Sequence, residues 1–321
     1  MDNTNFSLCQ LPDDARLHVI KILDYLELIS FSFTSSKSKL LVKSINIPME
    51  DLVFTIDDQL YITPCPTTDI EDSTFYIYEN QEMGNTPRRL DVVSDVILVD
   101  QDERWENLGL SCKELFQHLL SLFKFNETSL FINNETEAWD SADLQNLVRK
   151  WDLINIENAS DTYLQKLGDT VIPLAKAVTV ENKQEIIPVF PQKIGIQNLE
   201  LLNIHEHYNL KLDDALVMNS RRFRIHQLST KETNRFFKSW IRGSNPRMTR
   251  LSVHLNEEVE EEVNQRVLLK GLKYQVMPAE LERRIDYHPV IIGGFDIRNK
   301  QGKLASIQIR GRYVDFVVWD P

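Results

Sequence analysis

The stretch STKETNRFFKSWIRGSNPRMTRLSV, residues 229–253, places a helix start, a helix stop and a strand start in close succession. Ser229 stands three residues before Glu232, the reciprocal capping pattern in which each side chain accepts from a backbone N–H at the first turn. Phe236, Phe237, Trp240 and Ile241 then fall at helical spacing on one face, which predicts a helix beginning at Thr230. Gly243 ends it, because glycine takes the left-handed conformation without a Cβ clash, and Pro246 cannot continue it. Leu251 and Val253 alternate with Ser252 and His254, the period of a half-buried strand. Helix, tight stop and strand make one α/β unit. Its aromatic stripe should pack on a sheet with Trp240 buried, leaving Arg242 and Arg247 as solvated turn residues.

The strand of this unit has counterparts at near-constant spacing. Leu130 and Ile132, Ile154 and Ile156, Val178 and Val180, Leu202 and Ile204, Phe223 and Ile225, and Leu251 and Val253 follow one another at steps of 24, 24, 24, 21 and 28 residues. That period lies in the range of leucine-rich-type repeats, where each repeat contributes one parallel strand and a returning segment. LELLNI at 199–204 reproduces the L-x-x-L-x-L core, and WDLINI and MTRLSV echo it. The intervening stretches carry helical stripes: Leu144, Leu147, Val148 and Trp151, then Tyr163, Leu164 and Leu167. Right-handed crossovers would set these helices on one side of the sheet. Pro188 and Pro191 forbid a helix in the segment they occupy.

On either side of this array the pattern changes. LVFTIDDQLYIT reads as a hairpin about Asp57 and Asp58, and TFYIYEN and SDVILVD as further strands. CKELFQHLLSLF carries a helical stripe of Leu115, Leu119, Leu122 and Phe123. EEVEEEV at 257–263 reads as a solvated helix with Val259, Val263 and Val267 inward. The last segments, GGFDIRN, KLASIQI and YVDFVVW, are β again. The expected fold is thus α/β: a small helical N-terminal unit, a leucine-rich-repeat-like array of parallel strands with outer helices, and a terminal antiparallel β segment. The domains are read as 8–48, a β-rich connection over 49–104, and 105–321.

Composition narrows the function. The 321 residues are 42% hydrophobic with a formal charge of −12, enough to bury a large core and opposed to a general grip on nucleic acid, which needs a basic face. Arg221, Arg222 and Arg224 form a small basic cluster within it. Cys9, Cys65 and Cys112 are odd in number and far apart, the signature of free thiols in a reducing compartment and of no zinc site. No secretory leader or apolar membrane span is visible, so the expected location is the cytoplasm, with the nucleus as a further compartment. No phosphate-cradling glycine loop, G-x-S-x-G or H-E-x-x-H occurs. His205 and His207 lack a third ligand, Cys112 lacks an activating neighbour, and Gly293–Gly294 marks a bend. No catalytic residue, metal or cofactor is expected.

LPDDARLHVIKILDYLELISFSFTSSKSKLLVKSI, residues 11–45, is read as three short helices without glycine. Their apolar residues exceed what so small a unit can hide, which suggests a partner surface. The stretch resembles an F-box, aligning Leu11-Pro12, Val19-Ile20, Leu23-Asp24 and Leu28-Ile29 with the family's Leu-Pro, Ile-Leu, Leu-Asp and paired leucines. LDDALVMNSRRFRI, the 229–253 stretch, GGFDIRNKQGKLASI and FVVW resemble the type-2 F-box-associated domain of nematode F-box proteins. The resemblance implies a non-catalytic substrate-recognition subunit of an SCF ubiquitin ligase. Its F-box would bind a Skp-family adaptor directly and a cullin through that adaptor; its C-terminal domain would bind an as yet unidentified protein substrate, with no nucleic-acid or membrane partner.

The adaptor-binding set is read as Leu11, Pro12, Leu17, Ile20, Leu23, Leu28, Ile29 and Phe31. The substrate set comprises the residues alternating with the buried strand centres: Phe131, Asn133, Asn155, Glu157, Thr179, Glu181, Asn203, His205, Arg224, His226, Ser252 and His254. In a parallel array these form one strip, acidic near Glu157 and Glu181, basic and imidazole-rich from His205 to His254. A second reading, a binder that neutralises its target by occupancy without ubiquitylation, shares these surfaces. A third, an unrecognised hydrolase, has no motif behind it.

Overall fold

The computed structural model of the chain describes residues 8–57, 60–67, 74–78, 90, 95–100, 103–105, 109–133, 139–182, 190, 192–205, 208, 210–256, 261–284 and 290–319. It divides into two compact units, Met1–Ser129 and Leu130–Pro321.

The first unit opens with helices α1 (Asp13–Ile22), α2 (Tyr25–Thr34) and α3 (Ser36–Ile45). Each boundary has a local cause. Pro12 precedes α1 and Asp13 and Asp14 occupy its first turn, where carboxylates complement the positive end of the helix dipole. Asp24 and Glu27 form a capping box on α2, the Asp24 carboxylate accepting from Glu27 N at 2.7 Å and the Glu27 carboxylate from Asp24 N at 3.0 Å. Ser35 caps α3, which stops where Asn46 takes a left-handed φ of 55°. Strands β1 (Pro48–Ile56) and β2 (Leu60–Pro66) pair antiparallel through Phe54 opposite Ile62 and Ile56 opposite Leu60, forming the expected hairpin at Asp57. Asp58 lies outside the described residues. β3 (Thr74–Tyr78), β4 (Asp95–Asp100) and β5 (Glu103–Trp105) continue the antiparallel order β1-β2-β3-β4-β5.

Helix α4 (Cys112–Leu122) groups with this first unit although sequence placed it with the C-terminal domain. Phe116 meets Phe54 of β1 edge-on at 5.3 Å. His118 stacks on Phe33 of α2 at 4.2 Å and 15°, and its Nε2 lies 2.7 Å from the Ser32 hydroxyl. These contacts tie α4 to the three helices and the hairpin. β6 (Lys124–Asn133) then carries the chain across the boundary between units.

In the second unit, α5 (Ser141–Gln145), β7 (Trp151–Glu157), α6 (Asp161–Thr170), β8 (Ala175–Glu181), α7 (Gln192–Gly195), β9 (Leu201–Ile204), α8 (Leu212–Val217), β10 (Arg222–Leu228), α9 (Thr230–Ile241), β11 (Arg250–Leu255) and α10 (Glu261–Leu268) alternate. β7 to β11 are neighbours in sequence order and run parallel. The sequence period is the ladder register itself. Ile154 pairs with Val178, Val178 with Leu202, Leu202 with Phe223 and Phe223 with Leu251, so the steps of 24, 24, 21 and 28 residues keep one buried side chain above the next. All five are buried.

β12 (Gln275–Val276), β13 (Glu282–Arg283), β14 (Ile291–Ile292), β15 (Phe295–Arg298), β16 (Leu304–Arg310) and β17 (Tyr313–Trp319) complete the unit. β13 and β14 form a separate ribbon, while β17, β16, β15 and β12 follow β11 antiparallel. Gly294, at φ 91°, bends the chain into β15 where a Cβ would lie 2.6 Å from the Ile307 carbonyl oxygen, so only glycine fits. α9 starts at the Ser229–Glu232 capping box, and Gly243 follows it with φ 105°. Trp240 is 2% exposed and meets Phe316 of β17 edge-on at 5.0 Å, with Phe237 stacked on the same ring at 5.1 Å.

Two helical stripes differ from expectation. α5 is short, ending at Gln145, and Trp151 belongs to β7, where pairing with Ala175 of β8 claims its backbone. In α10 Val263 is exposed and the inward face is set by Asn264 and Leu268. The cause is polar: the Asn264 amide reaches the Gly311 carbonyl at 3.4 Å and its oxygen accepts from the Thr230 hydroxyl at the same distance. Val259, Pro188 and Pro191 lie outside the described residues.

Candidate functional site

The face of the second unit's sheet opposite its buried strand centres is built by register. Asn155, Thr179, Asn203, Arg224, Ser252 and Asp315 occupy successive ladder positions from β7 across to β17. One step further along the strands, Glu157 pairs with Glu181, and His226 with His254 and His254 with Tyr313. Because neighbouring strands lie about 4.8 Å apart, side chains in one such row touch. His205 and His226 stack at 5.4 Å and 9°, His226 meets His254 edge-on at 5.6 Å, and His254 stacks on Tyr313 at 4.7 Å and 18°.

The strip is not uniform. His205, Arg224, His226, Ser252 and His254 line a single depression of about 320 Å³. Phe131, Asn133, Asn155, Glu157, Thr179 and Glu181 lie outside it along the same sheet. Phe131 is half-buried and Asn133 accepts from the Asn158 amide at 3.1 Å. Asn155 donates to Glu157 at 3.3 Å. Asn203, expected as a contact residue, is buried and places its amide nitrogen 3.1 Å from His205 Nε2, so it orients that ring instead of facing a partner. His207 lies outside the described residues. No cluster of His, Cys, Asp and Glu that could hold a metal occurs among the described residues. Cys65 and Cys112 are in the thiol form, Cys112 being buried at the start of α4.

Sequence reasoning missed three polar lining residues, Arg250, Tyr313 and Asp315. Arg250 is the third residue of the MTRLSV echo, and the other two lie in YVDFVVW, a strand to which nothing local assigns a neighbour. The antiparallel return of β17 against β11 puts them there. Asp315 is a hub. It accepts from Arg250 Nη2 at 2.6 Å, the Ser252 hydroxyl at 2.7 Å and Arg310 Nη2 at 3.1 Å. Burial alone would raise its carboxyl, but the hydrogen bonds from Arg250 and Ser252, the Arg250 charge and the Arg310 bond outweigh it and hold the group below the usual carboxylate range. Arg224 is exposed in the same depression and has no carboxylate partner among the described residues.

Comparisons with known proteins bear on both units. Residues 8–49 match the F-box domain model, and residues 190–253 match the F-box associated model. Over those two segments the chain is similar to F-box and F-box-associated domains. The second match ends on β11 and includes α9 and the Trp240–Pro246 turn. The F-box associated domain-containing protein sdz-33 of Caenorhabditis elegans is 29% identical over 133 residues, 41% of this chain and 38% of that relative. The chain thus spans well under half the length of the curated relative it matches. No solved structure matches the chain.

Helices α1 to α3 sort the expected adaptor-binding residues by exposure. Ile20, Leu28 and Ile29 are buried within the unit, so they hold the three helices together and are closed to a partner as the unit stands. Leu11, Leu23 and Phe31 are half-buried, while Pro12 and Leu17 are exposed. Two aliphatic residues not singled out in the sequence are more exposed still: Ile22 at 70% and Leu40 at 67%. No helix among the described residues is long and apolar enough to cross a membrane.

Proposed function

We propose that the protein is a substrate-recognition subunit of an SCF-type ubiquitin ligase and has no catalytic residues of its own. Residues 8–48 bind a Skp-family adaptor, the adaptor brings a cullin, and the second unit holds a protein target on the strip. The observation that carries this reading is the coincidence of the F-box match with exposed aliphatic side chains on its helices, Leu17 and Ile22 on α1 and Leu40 on α3. Each is worth about 1.5–3 kcal/mol when fully buried, and a monomeric helical unit gains nothing by exposing them. Residues 49–104 connect the two functions. The regular register of β7 to β11, with helices α6, α8 and α9 between strands, supports a leucine-rich-repeat-like reading of the second unit, whose open sheet face serves as the receptor.

The test is reconstitution with adaptor, cullin, ubiquitin and the charging enzymes. Leu17→Asp with Leu40→Asp should abolish adaptor co-purification while near-ultraviolet circular dichroism of the Trp-containing second unit stays unchanged. Adaptor binding that survives both substitutions refutes the assignment of that surface. Polyubiquitin on a co-purified protein supports the ligase reading; target inhibition persisting without cullin would favour neutralisation by occupancy.

A further inference from the structure

The depression between β9, β10, β11 and β17 has a charge that the rest of the chain does not share. The protein has a formal charge of −12, yet among the described residues Asp315 is the only carboxylate lining this site. Against it stand Arg224 and Arg250 in the lining and Arg310 bonded to Asp315 from beside it. Arg250 and Arg310 share one carboxylate, and Arg224 has none among the described residues. The described lining is therefore short of negative charge, and a concave surface makes that shortfall felt by an incoming ligand.

We infer that this depression binds an extended acidic segment of the target protein, with carboxylates at alternating positions along it. The inference rests on the receptor reading above and specifies the class of target. Length argues for a peptide over a single small anion. The row His205, His226, His254 and Tyr313 crosses four neighbouring strands, about 14 Å at roughly 4.8 Å per strand, which matches about four residues of extended chain at about 3.3 Å each. Alternate residues of such a chain point the same way, so carboxylates at i and i+2 would reach Arg224 and the imidazole row together. The rings supply flat surface and N–H donors, and Tyr313, 61% exposed, stands at the rim with its ring stacked on His254. A long nucleic acid would carry its phosphates beyond the depression onto an acidic surface, whereas a short acidic segment ends within it.

The experiment uses the full chain bound to its adaptor and a fluorescein-labelled peptide of glutamates alternating with glycines, followed by fluorescence anisotropy. The control peptide has glutamine in place of each glutamate. The glutamate peptide should bind at least about tenfold more tightly than the control and weaken severalfold as salt rises from about 50 to about 300 mM. Arg224→Gln should cost about tenfold, and Tyr313→Ala severalfold; both residues are exposed, so the fold should survive, as circular dichroism will verify. Equal affinity for the two peptides overturns the inference. So does unchanged binding in both variants, or tighter binding of a single-stranded oligonucleotide of equal charge. Ubiquitin transfer to a target that persists without peptide binding removes only the acidic class; peptide binding without any transfer removes only the ligase reading.

Discussion

His118 couples the stability of the first unit to pH in a direction that its surroundings determine. The ring is sandwiched between α4 and α2, stacked on Phe33 and in hydrogen-bond contact with Ser32. Burial, reinforced by the Lys39 charge, lowers its pKa from the ordinary 6.5 to about 4. In the unfolded chain the ring protonates near its ordinary value, so between these limits the unfolded state binds more protons. Stability is therefore highest above about pH 6.5, falls as the pH drops, and levels off below about pH 4. The full shift corresponds to about 3 kcal/mol at 1.36 kcal/mol per pH unit, and because the side chain is only partly buried, solvent screening reduces the expected effect to about 1–2 kcal/mol. The assay is hydrogen exchange of peptides covering α2 and α4, corrected for intrinsic rates, in wild type and His118→Gln between pH 7 and pH 4.5. Other carboxylates titrate in both proteins, so the difference between them isolates the imidazole. Wild type should lose about 1–2 kcal/mol of protection relative to the variant over that range. Parallel curves, or a His118 imidazole resonance (the one absent from His118→Gln) titrating near pH 6.5 in the folded protein, would refute the reasoning.

Two further outcomes follow from the second unit. Trp240→Ala empties a site against Phe316 and Phe237 and should destabilise the unit by about 3–5 kcal/mol, read as a lower urea midpoint at unchanged slope. Asp315→Asn removes the charge that Arg250 and Arg310 share and should cost about 1–3 kcal/mol at neutral pH. Because the folded pKa of Asp315 is depressed, its contribution is fully present above the ordinary carboxylate pKa and is lost as pH falls through the lowered folded value. The urea midpoint of the variant should accordingly fall less steeply than that of wild type on the acid side.

The parts of the fold legible in the sequence are those written in local rules. The 229–253 stretch names its own helix boundaries because a capping box, an aromatic stripe and a left-handed glycine act within a few residues of each other. The strand steps were legible because a parallel ladder forces the same alternation at every crossing, so the spacing between LxI-type centres is the register. The short α5 and the polar inner face of α10 were not legible. In each case a distant partner decides: Ala175 draws Trp151 into a strand, and Gly311 and Thr230 turn Asn264 inward. Periodicity counts apolar residues on a face and is blind to an asparagine that finds its partners across the fold.

The candidate site shows the same division within a few residues. The strip from His205 to His254 followed from alternation, since pleating alone puts those side chains on one face. Arg250, Tyr313 and Asp315 did not, because nothing local to YVDFVVW says that its strand returns antiparallel beside β11 instead of ending the array elsewhere. That return changes the chemistry of the face. Without Asp315 the basic residues would repel one another across adjacent strands; with it, Arg250 and Ser252 are fixed in place and Arg224 is left as the cation open to a partner. Tyr313 closes the imidazole row where the parallel strands β9 to β11 give way to the antiparallel β17. The junction between the two kinds of pairing, and neither kind alone, builds the depression. It is there that changes in target preference should accumulate while the buried strand centres stay fixed, because a substitution on the open face alters only what docks and one in the ladder core alters the register of every neighbour.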